Sequence, residues 1–157
     1  MKYDDASWHY SGDFPKNQPV ENAGTHISLF LRWCFKKGWA GALHMQETPQ
    51  AVEDVINGKL SATQFLFKYC DGKLTNEDFN EMGNAFAARY YATEGLYLDD
   101  YAKTFQEQMY VAPEAAHDFE KFSSMLDERL RTGILLKADR RLPPGAYTHT
   151  RAPKDGR

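Results

Sequence analysis

Apolar residues recur at helical spacing through the middle of the chain, and capping residues and glycines separate the runs. In THISLFLRWCFKKG, Ile27, Phe30 and Cys34 fall on one helical face. Thr25 precedes this run as a candidate N-cap, and Gly38 follows it as a stop signal. The pattern predicts a largely buried helix between these two residues.

Two more helices are marked by the residues at their ends. TPQAVEDVING has Pro49 at the first helical position and ends at Gly58. SATQFLFKYCDG has Ser61 as a cap and Gly72 as a stop. These signals predict short helices over 49–57 and 62–71.

Three helices are predicted in the second half of the chain. Thr75 and Asp78 have the spacing of a capping box, which opens a helix through NEMGNAFAARYYA that Gly95 ends. LYLDDYAKTFQEQM predicts the next helix, and the last begins at Pro113 and ends at Gly133.

The fold class follows from these six helices. No segment combines period-two alternation with hairpin turn residues, although a short strand in the N-terminal arm or around 134–136 stays open. We predict an all-α fold: a compact irregular bundle of about six helices forming one domain over 1–132, with an irregular arm over 1–24. A basic tail containing proline and glycine, 133–157, is expected to pack on that domain.

Composition favours a folded protein of the reducing cytoplasm. Hydrophobic residues make up 42% of the 157 residues, which is too apolar for a disordered chain. Cys34 and Cys70 lie in apolar stretches without a CxxC spacing, so we expect two reduced core thiols. The polar N-terminus lacks a signal peptide, and no apolar stretch is long enough to span a bilayer, so we expect a cytoplasmic location and no membrane partner.

The net charge of −3 hides an asymmetry between body and tail. Residues 1–132 hold 13 Lys and Arg against 20 Asp and Glu, a balance of −7, whereas 133–157 hold 6 against 2, a balance of +4. An acidic body repels nucleic acid and suits a basic protein partner. The basic tail could bind nucleic acid, but it could equally lie on its own body or on that of a second chain, which leaves a homodimer as an alternative.

Catalytic and metal-binding patterns are weak. Asp4, Asp5, His9, His26 and His44 carry ligand atoms, but no two histidines have the spacing of an HExxH helix. Asp5 and His9 are four residues apart, but they lie in an arm whose pattern is not helical. Ser7 lies beside His9 without a nucleophile-elbow pattern, and there is no glycine-rich phosphate loop. We therefore expect no enzyme and no cofactor.

Three blocks of the sequence resemble a known group. KYDDASWHY, the T-H-I helix at 25–27 and GNAFAARYYATEGLYLDDY resemble a family of small uncharacterised bacterial proteins, over roughly residues 1–110. Proteins of this kind look like occupants of polymorphic-toxin and secretion-system neighbourhoods. The resemblance implies an immunity protein, which neutralises a toxin by covering it.

The expected function combines these observations. The chain is predicted to be a non-enzymatic binding protein whose acidic and aromatic surface covers a cognate toxin with a basic surface. In that hypothesis YDDASWHY is a latch, in which Trp8 and Tyr10 pack on the bundle. The alternative is a small-molecule or metal-dependent module built from Asp4, Asp5, His9 and His26. The predicted partner contacts are Asp4, Asp5, Trp8, Asp13, Glu94, Tyr97, Asp99 and Asp100.

Overall fold

A computed structural model describes residues 1–11, 14–93, 95–106, 110 and 116–132. Seven α-helices lie within these residues. They are α1 (Thr25–Lys36), α2 (Ala42–Glu47), α3 (Pro49–Ile56), α4 (Ala62–Tyr69), α5 (Glu81–Ala87), α6 (Leu96–Thr104) and α7 (Ala116–Thr132). The mostly helical fold class is therefore confirmed, and the predicted packing of the tail lies outside the described residues. None of these helices has the length and apolarity needed to cross a membrane.

The N-terminal arm contains the strand that the sequence left open. β1 (Lys2–Asp5) pairs antiparallel with β2 (Lys73–Thr75). Short 3₁₀ helices follow at Ala6–His9 and Val20–Gly24. The pairing joins the start of the chain to the turn after α4, so the arm is part of the folded body.

The capping signals predict some helix starts and miss others. Ser61 and Gln64 form the expected capping box of α4, and Thr75 and Asp78 form a second one. The second box opens only a 3₁₀ turn, Asn76–Asp78, and α5 begins later with Asn80 as its cap. The prediction that Thr25 is the N-cap of α1 is wrong, because Thr25 is already the first helical residue.

One aromatic core joins the elements. α1 lies at its centre, with ten of its twelve residues buried, and contacts α3, α4 and α7. After α5 the chain widens into a π-helix, Ala88–Thr93, and Gly95 ends this stretch in the left-handed conformation that glycine tolerates, at φ 70°. Tyr90, Tyr91, Tyr97 and Tyr101 are all buried in this region.

Gly41 is a position where two backbones approach too closely for a side chain. A Cβ there would lie 2.3 Å from the carbonyl oxygen of Glu77 and 3.0 Å from the backbone nitrogen of Phe79. The Gly41 amide donates to the Asp78 carbonyl at 2.9 Å. The start of α2 is thereby joined to the 76–79 segment.

We expect Gly41→Ala to lower the free energy of unfolding by about 1–3 kcal/mol, because backbone atoms must shift to admit the methyl group. Urea denaturation measures the change. Ala42→Ser, at the exposed neighbouring position, is the control and should stay within about 0.5 kcal/mol of the parent. A Gly41→Ala variant as stable as the control would contradict the close approach.

Candidate functional site

A buried carboxylate lies at the centre of the N-terminal segment. Asp4 is 1% exposed. Its Oδ1 lies 2.9 Å from His9 Nε2, and its Oδ2 lies 3.1 Å from His26 Nε2. The hydroxyl of Tyr91 also donates to Oδ2. We call Asp4, His9, His26 and Tyr91 the N-terminal clamp.

Four separate elements supply the clamp. Asp4 lies in β1, His9 ends the 3₁₀ helix that follows, His26 is the second residue of α1, and Tyr91 lies in the π-helix. The strand directs Asp4 inward, and the 3₁₀ turn brings His9 back over it. The clamp therefore fixes the arm to both the central helix and the second half of the chain.

Asp5 makes a different set of hydrogen bonds from Asp4. It caps the 3₁₀ helix by accepting from the Ser7 amide at 2.9 Å, and it pairs with Lys2 at 2.9 Å. The Ser7 hydroxyl donates to Asp5 at 2.7 Å, so Ser7 is hydrogen-bonded to a carboxylate. The grouping of Asp5 with Asp4, His9 and His26 in one site is therefore wrong, whereas the latch interpretation holds for Asp4, Asp5 and His9.

The clamp depends on an ionised Asp4 and a neutral His26. Burial alone would raise the pKa of Asp4, but the hydrogen bonds from His26 and His9 outweigh it and hold that pKa well below its usual range. Burial lowers the pKa of His26 by more than its hydrogen bond to Asp4 raises it. His26 Nδ1 is buried and makes no hydrogen bond with the residues described, which fits a neutral ring that donates from Nε2.

We expect acid to destabilise the fold in two stages. Below about pH 6.5 the unfolded chain protonates His26 while the folded chain resists protonation, and below about pH 4 the same holds for Asp4. In both stages the unfolded state binds more protons, so the free energy of unfolding falls as the pH falls. Urea denaturation should give a lower midpoint at pH 5 than at pH 7.5. His26→Gln should flatten this first decline, and an unchanged or higher midpoint at pH 5 in the parent would contradict neutral His26.

The clamp also contains metal-ligating atoms. One ligand atom from each of Asp4, His9 and His26 lies within 4.8 Å of the others. A divalent ion there would leave one positive charge uncompensated in a buried place, which is costly. The charge balance therefore favours a hydrogen-bonded clamp at this place over a metal centre.

A second histidine–aspartate pair lies between α2, α4 and the 3₁₀ turn at 76–78. His44 Nε2 lies 2.8 Å from Asp78 Oδ1, and both side chains are buried. The Cys70 thiol donates to the same oxygen at 3.5 Å. The prediction of a core thiol holds fully for Cys34, whereas Cys70 is only partly buried.

Several predicted partner contacts are not available to a partner. Asp4, Asp5 and Tyr97 are buried, so their assignment to a binding surface is wrong. Tyr97 instead packs against Phe30, with ring centroids 5.1 Å apart. Tyr10 was expected to pack on the bundle, but it is exposed.

The other predicted contacts are partly accessible or lie outside the described residues. Trp8 is half-buried beneath the ammonium group of Lys2. Asp99 and Asp100 are half-buried, and Asp100 forms a two-point ion pair with Arg129 at 2.8 and 3.1 Å. The remaining two predicted contacts, Asp13 and Glu94, lie outside the described residues.

A different acidic surface comes from two segments that lack basic residues. Neither 38–58 nor 74–88 contains Lys or Arg. The segments are joined by the Ala40–Phe79 bridge, and α2 contacts the 76–78 turn and α3. Four glutamates and three large apolar side chains are exposed on them, and we call these residues the acidic face: Glu47, Glu53, Glu77, Glu81, Leu43, Met45 and Met82.

The gaps between basic residues were the sequence signal for this face. Lys37 is followed by no basic residue until Lys59, and Lys73 by none until Arg89. The net charge summed over residues 1–132 does not reveal these two stretches without Lys or Arg. Their adjacency in space depends on the 40–79 pairing, which has no local signal.

The comparisons with known proteins identify a family. A family model described as a domain of unknown function (DUF7832) matches residues 2–117. Neither the curated proteins nor the solved structures contain a significant match.

Proposed function

The chain belongs to the DUF7832 family of unknown function, and we propose that it is a non-enzymatic binding protein that covers a partner with a basic surface. The acidic face is the observation that carries this proposal. Four exposed glutamates and three exposed apolar side chains lie on two segments that contain no Lys or Arg and that the Ala40–Phe79 bridge joins. Interfaces commonly combine an apolar centre with a charged rim.

The charge of the face selects the kind of partner. Opposite charge at an interface accelerates encounter, and like charge disfavours wrong partners. Nucleic acid and anionic membranes are disfavoured by four carboxylates, whereas a protein with a Lys- or Arg-rich site is favoured. Leu43, Met45 and Met82 supply apolar area, and methionine adapts its shape to different surfaces.

The finer proposal is an immunity protein that neutralises a bacterial toxin in the cytoplasm. It is supported by the resemblance of KYDDASWHY and the two later blocks to small bacterial proteins of toxin neighbourhoods. An immunity protein needs a stable body and a complementary surface, and it needs no catalytic group. The N-terminal clamp contributes to the stable body, and the acidic face provides the complementary surface.

Co-expression tests the finer proposal. The product of the adjacent upstream gene is expressed with and without this chain, and growth and complex formation are measured. We expect a one-to-one complex and restored growth. The immunity proposal fails if the neighbouring product is toxic and this chain neither binds it nor restores growth.

The basic tail provides a necessary control. Residues 133–157 carry a balance of +4 and could compete for the acidic face of the same or another chain. Deleting 133–157 should leave partner binding unchanged or stronger. Light scattering at low and high salt shows whether the full chain forms a salt-sensitive dimer.

A further inference from the structure

His44, Cys70 and Asp78 offer three different metal ligands from three elements. His44 lies in α2, Cys70 is the C-cap residue of α4, and Asp78 ends the 3₁₀ turn at 76–78. Their ligand atoms form a triangle with sides of 2.8 Å (Nε2 to Oδ1), 3.5 Å (Sγ to Oδ1) and 3.8 Å (Sγ to Nε2). We propose that this triangle is a binding site for a thiophilic divalent cation, with Zn²⁺ as the best match.

The size of the triangle fits a tetrahedral ion. Bonds of roughly 2.0 Å to nitrogen or oxygen and 2.3 Å to sulfur put neighbouring tetrahedral ligands about 3.3–3.6 Å apart. The two sides that include sulfur are already close to this range. Only the His44–Asp78 side must lengthen, by about half an ångström.

The charge balance favours this place over the N-terminal clamp. On binding, the Cys70 thiol releases its proton to solvent, and the proton on His44 moves from Nε2 to Nδ1. The thiolate and the Asp78 carboxylate then neutralise the two positive charges of the ion. A neutral centre is far less costly in a buried place than the net positive charge that the clamp would carry.

The surroundings hold the ligands in place. The backbone amide of Thr75 donates to Asp78 Oδ2 at 2.7 Å, which leaves Oδ1 for the ion. The His44 ring packs edge-on against Phe65 and Phe35, with ring centroids 5.1 and 5.8 Å away. Cys70 is partly exposed, which provides an entry path and leaves the fourth position to water, as in zinc sites with three protein ligands.

Co²⁺ is the first probe, because a thiolate bound to cobalt gives a charge-transfer absorption in the near ultraviolet. Metal-free full-length chain is titrated with Co²⁺ and then with Zn²⁺. We expect the band to saturate at one equivalent and to disappear as Zn²⁺ displaces Co²⁺. Absence of the band at excess Co²⁺ would overturn the proposal.

Matched cysteine variants assign the ligand. Cys70→Ser should lose the band, whereas Cys34→Ser should keep it, because Cys34 is buried in α1 and is not one of the three ligand residues. A band that survives in Cys70→Ser, or that is lost only in Cys34→Ser, would overturn the assignment. Cobalt bound at the clamp would give no such band, because Asp4, His9 and His26 include no sulfur.

Alkylation of the parent chain tests the site without a substitution. Burial and the neighbouring Asp78 carboxylate raise the pKa of the Cys70 thiol, so iodoacetamide reacts slowly with it in the metal-free chain. Mass spectrometry therefore follows the rate at that residue over a long reaction at alkaline pH. Saturating Zn²⁺ should slow modification of Cys70 at least about tenfold, because a coordinated thiolate is shielded from the reagent. An equal rate with and without Zn²⁺ would contradict coordination even if the serine variant failed to fold.

Discussion

Asp4→Ala should lower the free energy of unfolding by about 3–5 kcal/mol, the usual cost of removing one partner from a buried charged pair. The substitution leaves the donors of His9, His26 and Tyr91 buried without their common acceptor. Each abandoned donor adds a desolvation cost of about 1–3 kcal/mol unless the structure relaxes around it. The expected loss is a large fraction of the stability of a typical domain.

Urea denaturation monitored by circular dichroism measures this loss. The control is Glu120→Ala, because Glu120 is an exposed carboxylate within the helix α7. That control removes a carboxylate and leaves the clamp intact. If Asp4→Ala costs no more than Glu120→Ala, the clamp does not hold the arm to the body.

Phe30→Ala should cost about 3–5 kcal/mol, as expected for removing a buried aromatic ring. The ring is fully buried in α1 and packs edge-on against Tyr91 and Tyr97, with centroids 5.1 Å from each. It also stacks on Phe86 at 6.2 Å. The cavity would therefore open where the central helix, α5, the π-helix and α6 meet.

The control for Phe30 is Leu43→Ala on α2, where the side chain is exposed. It should change the free energy of unfolding by no more than about 0.5 kcal/mol. Both variants are measured by urea denaturation at the same pH. A Phe30→Ala variant within 1 kcal/mol of the parent would show that the ring is not at the centre of the core.

The elements that could be predicted from sequence are those with local signals. Pro49 opens α3 and Ser61 caps α4, because capping depends on residues within one turn. α2 was missed because Gly41 offers no capping side chain and the helix has only six residues. The pairing of β1 with β2 joins residues about seventy positions apart, and no local pattern encodes it.

The site was only partly predictable for the same reason. Residue type alone singled out Asp4, Asp5, His9 and His26. The structure brings together the ligand atoms of Asp4, His9 and His26, but not those of Asp5. Tyr91 lies 87 positions from Asp4, so its role depends on the π-helix that turns it inward. Residue type also could not separate the two neighbouring aspartates. Asp4 accepts hydrogen bonds from the clamp, whereas Asp5 caps the 3₁₀ helix that follows.

A charge-reversal experiment tests most directly whether the acidic face binds the partner. One variant carries Glu47→Lys, Glu53→Lys and Glu77→Lys on the face. Its matched control carries Glu21→Lys, Glu120→Lys and Glu128→Lys, which are also exposed glutamates and change the net charge equally.

Isothermal titration calorimetry with the co-purified partner compares both variants with the parent, after circular dichroism has shown that each is folded. Like charges brought together at an interface cost several kcal/mol, so the face variant should bind at least about 100-fold more weakly. The control should bind within about threefold of the parent. Equal weakening in both variants, or unchanged binding by the face variant, would contradict the proposal that this face covers the partner.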